Sequence, residues 1–502
     1  MAAAASAAVG SVGVVTILPK TPLPILVIGS GLGGLTLAHA LRAHSIPYRL
    51  FERDAATDDR AQGYRISVDD GGASALKSAL GLEGDGPALF GEFEQSCGER
   101  HGIGGRIDAV SGKVLQRGVL GLLGAGGWGM LGELAGRWAG KKWSEGTWSD
   151  WAKWAGSFVP QTVNKHYQVD RRVLRNLLLR SQADHITHSA VFTSYTLPSG
   201  ADSASSPSSP SASLPRSDGS DGAEGVIAHF ADGTSVRGSL LVGADGVRSC
   251  VAAQLLGHSA IPRDLGTRII YGKTPLSPSV EEGLHLTLSK GCSFVVDPTA
   301  AATAESAPGD EPGLLLVHEC MRFHHPSAPA DYSFWALAGR KEIFERSETE
   351  LRSSLPASTS ASASDPSPAD IALHLTKHWH PSIRLLFTQQ DPNQTASLRM
   401  TSSSTSGTAT WPTDPRVTVL GDAIHCMPPT GGQGANTALH DAALLGLVLG
   451  KAKEEGEGVE GKGWSKETVE LYEDGMRRNI GDVVGMAVIG AKRIIGADMP
   501  EL

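Results

Sequence analysis

Three glycines near the start of the chain have the spacing of a phosphate-binding turn. Gly29, Gly31 and Gly34 form a G-x-G-x-x-G pattern between the apolar residues 23–28 and an Ala/Leu-rich stretch without proline before Pro47. In a strand, turn and helix unit, the first glycine permits the tight turn, the second lets a pyrophosphate approach the backbone, and the third lets the helix pack closely on the strand. Free N–H groups and the dipole at the helix start favour the negative charge. The pattern therefore predicts a dinucleotide-binding site.

An acidic residue follows where a dinucleotide ribose would need one. Residues 46–51 are typical of a second strand, and Glu52 comes directly after them, roughly 20 residues beyond the glycines. A carboxylate at this point of a βαβ unit hydrogen-bonds a ribose hydroxyl, so Glu52 favours a free 2′-hydroxyl, as in FAD or NAD, over a 2′-phosphate. A glycine turn with only a structural role is the alternative. The ordered succession of strand, glycines, helix, strand and acid favours dinucleotide binding.

The C-terminal part of the chain combines a strand, an aspartate and a helix start. The apolar residues 417–420 lead into Gly421-Asp422, and a glycine-rich turn then opens a helix that we expect over residues 436–449. An aspartate at the carboxyl end of a strand can accept hydrogen bonds from ribityl hydroxyls. The free N–H groups of the helix start can stabilise negative charge on a reduced isoalloxazine ring. This segment therefore indicates a flavin.

Arginines add positive charge at two further places. Residues 169–179 predict a helix with Asp170 as the N-cap and leucines on one face. Arg171 and Arg172 stand at the start of this helix, where the dipole disfavours cations, so we expect an anion nearby, with solvated arginines as the alternative. Arg65 leaves two interpretations open: contact with the cofactor or a carboxylated substrate, or an ordinary surface position.

A third buried strand ends in an Asp-Gly turn. The apolar residues 239–243 precede Asp245-Gly246. Together with the first glycine motif and the Gly-Asp motif, this turn makes the chain resemble the class A flavoprotein monooxygenases, the para-hydroxybenzoate hydroxylase-like family. The salicylate-hydroxylase-like and tetracycline-inactivating members are the more similar ones. The resemblance covers residues 23–52, 169–179, 240–249 and 417–445.

The resemblance assigns these motifs to FAD. It implies that the first glycine motif binds the ADP half, that Glu52 holds the ribose and that Arg171, in a V-x-R-x-x-L pattern, contacts the cofactor. Asp245-Gly246 would serve both FAD and NAD(P)H, Asp422 would bind the ribityl-phosphate region, and the glycine-rich turn before the last helix would approach the flavin ring. The predicted cofactor-binding residues are Gly29, Gly31, Gly34, Glu52, Arg65, Arg171, Asp245, Gly246, Asp422, Gly434 and Ala435.

The chemistry that the resemblance implies is oxygenation of a small molecule. NAD(P)H reduces FAD, O₂ adds to give a flavin C4a-hydroperoxide, and an electron-rich aromatic or polyketide-like substrate attacks its distal oxygen. The expected function is therefore an FAD-dependent monooxygenase of secondary metabolism. Baeyer–Villiger oxidation, epoxidation and a flavin oxidase or dehydrogenase activity stay open, and a non-catalytic flavin-binding interaction protein is the alternative of another class. No residue is identified as catalytic, and no metal site is expected.

The motifs predict an α/β fold. A Rossmann-like FAD-binding domain carries an inserted antiparallel β-sheet substrate domain and a C-terminal helical segment. The expected divisions are a flexible tail (1–20), three parts of the FAD-binding domain (21–87, 165–264 and 393–446), substrate-side strands with a Trp/Gly-rich insertion (88–164), the substrate-binding sheet (265–392) and C-terminal helices (447–502).

Local patterns add detail to the substrate side. Strands are expected over residues 284–288, 314–319 and 332–338, short strands within 88–116, and a helix over 369–380.

Biased composition marks four further segments. Six tryptophans within residues 118–156 favour a packed helical excursion, with an apolar lid or a contact for a partner chain as alternatives. Three Ser/Pro/Ala-rich segments, residues 199–222, 300–312 and 356–368, are expected to be disordered loops, because they cannot bury enough apolar surface.

Overall composition limits the classes of function. The 502 residues suffice for two or three domains. A net charge of −9 without a Lys/Arg-rich run argues against binding to nucleic acid. Five scattered cysteines without a C-x-x-C pair fit a reducing compartment. The start has no basic region typical of a secretory signal, and no apolar run reaches the roughly 18 residues of a membrane span. A cytoplasmic location is therefore expected.

Overall fold

The computed structural model describes residues 22–55, 64–99, 102–117, 166–198, 225–257, 261–300, 313–325, 328–354, 365–403, 409–459, 462–481 and 483–498. The strands are β1 (Ile25–Ile28), β2 (Tyr48–Phe51), β3 (Arg65–Val68), β4 (Gly102–Asp108), β5 (Val114–Arg117), β6 (Tyr167–Asp170), β7 (Ile186–Thr187), β8 (Phe192–Thr196), β9 (Val226–Phe230), β10 (Ser235–Gly238), β11 (Leu240–Gly243), β12 (Arg263–Pro275), β13 (Gly291–Asp297), β14 (Leu314–Met321), β15 (Tyr332–Arg340), β16 (Ala396–Ser402) and β17 (Val417–Val419). The helices are α1 (Leu32–Ala43), α2 (Asp70–Leu80), α3 (Gly86–Ser96), α4 (Arg171–Leu179), α5 (Cys250–Leu256), α6 (Pro278–Gly283), α7 (Lys341–Ser354), α8 (Pro368–Leu375), α9 (Pro381–Thr388), α10 (Asp422–His425), α11 (Gly434–Glu454), α12 (Lys466–Ile480) and α13 (Val483–Ile495).

Some of the expectations concern segments outside the described residues. These are the tail over residues 1–20, the Trp/Gly-rich insertion over 118–156, and nearly all of the three Ser/Pro/Ala-rich segments. The expectations for these segments stay predictions.

Five parallel strands form the sheet of the cofactor domain, in the order β17-β11-β1-β2-β7. β1 pairs with β11 on one side and with β2 on the other along its whole length. Every residue of β1 and of β11 is buried, as is typical of apolar parallel strands that are covered on both faces. Because the strands are parallel, the carboxyl ends of β1, β11 and β17 meet at one edge of the sheet.

Helices α1 and α11 pack closely on each other. The packing is tightest at Gly446, where a Cβ atom would lie 2.3 Å from the Cβ of Ala40. A glycine at this point therefore lets the two helix backbones approach each other. Both helices start at the edge of the sheet where the glycine motifs lie, so their spacing bears directly on the site.

A seven-stranded sheet forms the second domain, in the order β16-β12-β15-β14-β13-β4-β5. All its neighbours are antiparallel except β13 and β4, which are parallel. One face packs on helices α7 to α9 through large side chains that include Trp335, Phe344 and Phe387. The opposite face carries Tyr271, Tyr332 and Phe334 and contacts the cofactor domain through an edge-on contact between the rings of Tyr64 and Tyr271.

A two-stranded antiparallel ribbon, β3 with β6, connects the domains. Arg65 of β3 stands directly opposite Asp170 of β6. Helix α4 begins at the next residue, Arg171, and Asp170 is its N-cap as predicted, because its carboxylate accepts hydrogen bonds from the N–H groups of Arg172 and Val173.

Two C-terminal helices complete the described fold. α12 packs on the parallel sheet, where the Tyr472 hydroxyl donates a 2.9 Å hydrogen bond to the carbonyl of Val419. α13 covers part of the seven-stranded sheet through Ala491 and Ile495, which pack with Leu265. The predicted α/β fold with an inserted sheet and C-terminal helices is confirmed. Within the described ranges, the helices are too short or too polar to cross a membrane.

Several local predictions are wrong. Residues 88–96, expected as strand, belong to α3, where Pro87 occupies the first turn, a position that proline favours in helices. Residues 284–288 do not form a strand, and the next strand along the chain, β13, begins at Gly291. The helix expected over residues 369–380 ends at Leu375, and a separate helix, α9, starts at Pro381. In each case the local pattern was ambiguous, and tertiary packing decided the outcome.

The contact between α1 and α11 generates a prediction about stability. Replacement of Gly446 by valine places a branched side chain against Ala40, so it should lower the free energy of unfolding by about 2 kcal/mol, the usual cost of overpacking. Urea denaturation of the apoprotein measures the change. The control is Leu447→Ala on the next position of α11, where the side chain is 44% exposed. A loss at Leu447 as large as that at Gly446 would contradict the proposed packing constraint.

Candidate functional site

The first glycine turn has the backbone geometry that a phosphate site needs. Gly29 has φ +103°, and a Cβ on it would lie 2.4 Å from the carbonyl oxygen of Ala244; a Cβ on Gly34 would lie 2.0 Å from the carbonyl oxygen of Gly29. By contrast, a Cβ on Gly31 would meet no atom within 4 Å. Gly29 and Gly34 therefore allow close packing, whereas the space beside Gly31 is open. The start of α1 has no side-chain cap and no acidic residue in its first turn.

Glu52 lies beside this turn and holds it. Its carboxylate accepts hydrogen bonds from the N–H of Ser30 at 2.9 Å and from the Ser30 hydroxyl at 2.6 Å. Arg175 of α4 donates to the Ser30 carbonyl at 3.1 Å and to its hydroxyl at 2.8 Å. Burial raises the pKa of Glu52, but the Ser30 hydroxyl, the N–H groups of Asp54 and Ser30, and the Arg175 charge outweigh it, so the pKa lies below the ordinary value. The carboxylate is therefore ionised where a ribose is predicted.

The Asp-Gly turn after β11 abuts the first glycine turn. The Cα of Asp245 lies 2.9 Å from the position that a Cβ on Gly29 would take. The Asp245 carboxylate accepts hydrogen bonds from the Ser249 hydroxyl at 2.5 Å and from the N–H of Cys250 at 2.8 Å. Gly246 has φ +76°, and a Cβ on it would meet no atom within 4 Å. The turn therefore lies at the same edge of the sheet as Gly31 and, like it, has open space beside it.

The Gly-Asp motif and the start of α11 form the third part of the site. A Cβ on Gly434 would lie 3.8 Å from Oδ1 of Asp422. The start of α11 again lacks a side-chain cap and an acidic first turn. The Asp422 side chain is accessible to solvent, although protein atoms surround it. Desolvation raises its pKa, and the positive charges of His425 and Arg171 oppose the rise. Arg171 therefore acts electrostatically on Asp422, although the two residues are far apart in sequence.

A buried ion pair supports the Gly-Asp motif from behind. His425 and Asp441 are fully buried, with 2.5 Å between Nε2 and Oδ2, and the same oxygen accepts the N–H of Gly421 at 2.9 Å. Burial lowers the pKa of His425, but the charge and hydrogen bond of Asp441, together with Asp422, raise it above the ordinary value. The pair fixes Gly421, whose φ of +62° lies in the left-handed region.

Arg65 has a protein partner. Its Nη2 lies 2.6 Å from Oε2 of Glu319 on β14, a carboxylate that is almost fully buried. Glu319 already balances the charge of Arg65, so the structure does not require a cofactor beside this residue. The predicted contact between Arg65 and the cofactor stays a prediction.

Comparison with known proteins finds similarity to FAD-dependent monooxygenases. Residues 321–461 match the FAD binding domain model. The dual O-methyltransferase/FAD-dependent monooxygenase elcB of Phaeosphaeria nodorum is 32% identical over 436 residues, which make up 85% of this chain and 40% of that protein. CTB3 of Cercospora beticola, of the same description, is 32% identical over 434 residues, with shares of 85% and 42%. The chain is thus similar to FAD-dependent monooxygenases over most of its length and matches an FAD binding domain within it. It spans about two fifths of the length of these two relatives.

A solved structure of this fold contains FAD. Klebsiella pneumoniae HpxO, solved with FAD and uric acid, aligns with a TM-score of 0.58 and 19% identity, and the alignment covers 94% of this chain and 89% of HpxO. At this identity the comparison establishes the flavoprotein fold.

The residues of this flavoprotein fit FAD. Open space beside Gly31, next to an uncapped helix start, suits a pyrophosphate. Asp422 is solvent-accessible at the start of α10, close to the uncapped start of α11, as a ribityl chain and a flavin ring require. The structure thus brings Gly29, Glu52, Asp245, Asp422 and their neighbouring glycines to one edge of the parallel sheet.

Three supporting residues were not found from the sequence. Ser30 donates to the predicted site residue Glu52, and Arg175 donates to Ser30. Asp441 accepts the N–H of Gly421 in the Gly-Asp motif. Arg175 stands four residues after Arg171, on the same face of α4, and this spacing could have indicated it. The contacts of Asp441 join residues that no short motif relates.

The open space beside Gly31 generates a prediction about cofactor affinity. In Gly31→Ala, the new Cβ should leave the stability of the apoprotein unchanged but occupy the space of the pyrophosphate, raising the Kd for FAD roughly tenfold or more. Flavin fluorescence titration measures the Kd. The control is Gly91→Ala in α3, where a Cβ also meets no atom within 4 Å. Equal Kd values for the two variants would show that Gly31 does not face the cofactor.

The ion pair between His425 and Asp441 generates a prediction about pH. Because the folded-state pKa of His425 is raised, the stability from the pair is fully present below the unfolded-state pKa and is lost as pH rises through the folded-state pKa. His425→Gln should therefore destabilise the apoprotein by about 3 kcal/mol near pH 5.5 and by clearly less near pH 9. Urea denaturation across this range measures the difference, and Asp441→Asn should show the same trend. A loss of unfolding free energy that is the same at both pH values would contradict the positive charge assigned to His425.

Proposed function

We propose that this chain is an FAD-dependent monooxygenase that uses NAD(P)H and O₂ to oxygenate an aromatic or polyketide-like small molecule in secondary metabolism. The observation that carries the proposal is the convergence of three strand-end turns, at Gly29, Asp245 and Asp422, beside two uncapped helix starts. The names of the fungal relatives support the activity, and the uric acid in HpxO supports a planar aromatic substrate.

We assign the predicted residues to parts of FAD. Gly29, Gly31 and Gly34 would admit the pyrophosphate to the start of α1, and Glu52 would accept a ribose hydroxyl. Asp422 would accept ribityl hydroxyls. The remaining assignments are Arg65, Arg171, Asp245, Gly246, Gly434 and Ala435.

Bound FAD would supply the electron transfer and the activation of oxygen. The protein would supply charge and orientation. The positive end of α11 would stabilise negative charge on the isoalloxazine ring. The charge of Arg171, which already acts on Asp422, would face the cofactor from α4. NAD(P)H would approach the Asp245-Gly246 turn.

The face of the seven-stranded sheet that is directed at the cofactor domain favours an aromatic substrate. Tyr271 and Phe334 form an aromatic cluster with Tyr332 and Met321. Aromatic side chains prefer offset or edge-on contacts with other rings, and an apolar surface keeps water from the reacting groups. We therefore propose that the substrate lies between this face and the flavin.

The names of the relatives also suggest a following reaction. Hydroxylation of an aromatic ring creates a phenolic hydroxyl, which is an acceptor for methyl transfer. Since both fungal relatives are dual O-methyltransferases, we propose that the product of this enzyme is consumed by O-methylation. We further propose that the enzyme works in the cytoplasm, because its five cysteines are scattered along the sequence and form no C-x-x-C pair.

Absorption and oxygen labelling test the proposed function. The purified protein should show the absorption bands of an oxidised flavin, and a phenolic substrate should accelerate NAD(P)H consumption in air. Labelled oxygen from ¹⁸O₂ should then appear in the product. Mass spectrometry of the product measures the incorporation, and a reaction without substrate is the control.

Each alternative gives a distinct result. Substrate oxidation without ¹⁸O in the product would indicate a flavin oxidase or dehydrogenase. Oxygen inserted into a carbon–carbon bond or an alkene would indicate a Baeyer–Villiger or epoxidising enzyme. A yellow protein that no substrate stimulates would favour a non-catalytic flavin-binding protein, and a protein that takes up no FAD would refute the proposal.

A further inference from the structure

Two ion pairs join the β3–β6 ribbon to the seven-stranded sheet. Arg65 of the ribbon lies 2.6 Å from Glu319 of β14, and Asp170 of the ribbon lies 2.6 Å from Nζ of Lys273 on β12. The side chains of Glu319, Asp170 and Lys273 are each at most 9% exposed. These charges are therefore held away from water, where an unpaired partner is costly.

The two pairs match in register as well as in sign. Arg65 and Asp170 are direct cross-strand neighbours in the ribbon. Lys273 and Glu319 both stand opposite Phe334, so they lie in one row across the sheet, with β15 between their strands. The positive and negative residues of the ribbon thus meet a negative and a positive residue of the sheet. We call the four charged residues, Arg65, Asp170, Lys273 and Glu319, the charge clamp.

Tyr332 of β15 completes the contact with Asp170. Its hydroxyl donates a 2.9 Å hydrogen bond to Oδ2 of Asp170, the oxygen that also accepts from Lys273. The Lys273 ammonium group lies 4.1 Å from the centre of the Tyr332 ring. The other oxygen of Asp170 caps α4 through the N–H groups of Arg172 and Val173. One carboxylate therefore ties the start of α4 to two strands of the other domain.

The residues beside the charge clamp contact each other. Tyr64 precedes Arg65, and Arg171 follows Asp170. The guanidinium group of Arg171 lies 5.4 Å from the centre of the Tyr64 ring, and the backbone N–H of Arg171 donates to the Tyr64 carbonyl at 3.1 Å. Because the clamp fixes the neighbours of both residues, it also fixes the direction in which Arg171 leaves the backbone.

Holding the two domains together would not by itself require buried ion pairs at the start of α4. Buried ion pairs are often no more stabilising than well-packed apolar residues. Here the charges concentrate at the start of the one helix that carries both Arg171 and Arg175, and Arg175 contacts the first glycine turn through Ser30. The start of α4 is thus the point at which the sheet domain is connected to the cofactor site.

We propose that the charge clamp positions Arg171 for FAD, with Lys273 as a positioning residue that acts through Asp170. The inference rests on the proposed function, because it takes Arg171 as a ligand of FAD. It extends that function by making the affinity for the cofactor depend on two side chains of the substrate domain, Lys273 and Tyr332.

Titration of the apoprotein with FAD tests the proposal. Lys273→Met should raise the Kd for FAD roughly tenfold, within the usual range for coupled neighbours. The matched control is Arg268→Met on the same strand, whose partner Glu348 lies within the sheet domain. Arg268→Met should change the Kd less than about twofold even where it lowers the melting temperature. Equal changes in Kd for the two variants would overturn the proposal.

A double-mutant cycle separates positioning from general loss of structure. In an Arg171→Ala background, Lys273→Met should have almost no further effect on the Kd, because the residue through which it acts is gone. An undiminished effect would overturn the proposal. If Lys273→Met does not fold, Tyr332→Phe, which removes one hydrogen bond to Asp170 and keeps the ring, should raise the Kd about threefold, and an unchanged Kd would overturn the proposal. A wild-type protein that binds no FAD would refute the proposed function as well, whereas FAD binding that these variants leave unchanged would refute the clamp alone.

Discussion

The site depends on backbone N–H groups that the protein itself leaves without acceptors. Neither α1 nor α11 has a side-chain cap or an acidic residue in its first turn. Both helices start at the edge of the sheet where β1, β11 and β17 end. Two positive helix ends at one edge favour a ligand that carries negative charge at two separated points. A dinucleotide with a pyrophosphate and a reducible ring meets this requirement, and the close packing at Gly34 and Gly446 serves to bring the helix starts together.

Buried charged side chains hold the turns of the site from behind. Glu52 and Arg175 hold Ser30 from two sides, so the first glycine turn is fixed without any contribution from the phosphates. Asp441 and His425 do the same for Gly421 in the Gly-Asp motif. In both places an ionised carboxylate accepts a backbone N–H of the turn. Protein contacts thus hold the turns of the predicted site, and a site held in this way lowers the entropy cost that binding must offset.

The parts of the structure that follow from short-range geometry could be predicted from the sequence. The glycine motif and the N-cap at Asp170 each depend on a few consecutive residues, and they form as expected. The strand predicted over residues 284–288 does not form: Leu284 and Leu288 pack into the core of the sheet domain, but the segment between them is a turn that exposes Leu286. No motif or spacing in the sequence indicated Lys273 or Glu319. Their partners, Asp170 and Arg65, lie in other segments of the chain, and only the folded topology brings them together.

The order of strands in the parallel sheet has a consequence for biosynthesis. β11 lies between β1 and β17, yet β17 is translated long after both β1 and β11. Until then one edge of β11 is unpaired, and an apolar edge strand is a template for aggregation. The Gly-Asp motif follows β17 directly, so this strand and this part of the predicted flavin site are translated together. The pairing of β11 on its second side and the completion of this part of the predicted site therefore coincide during synthesis of the chain.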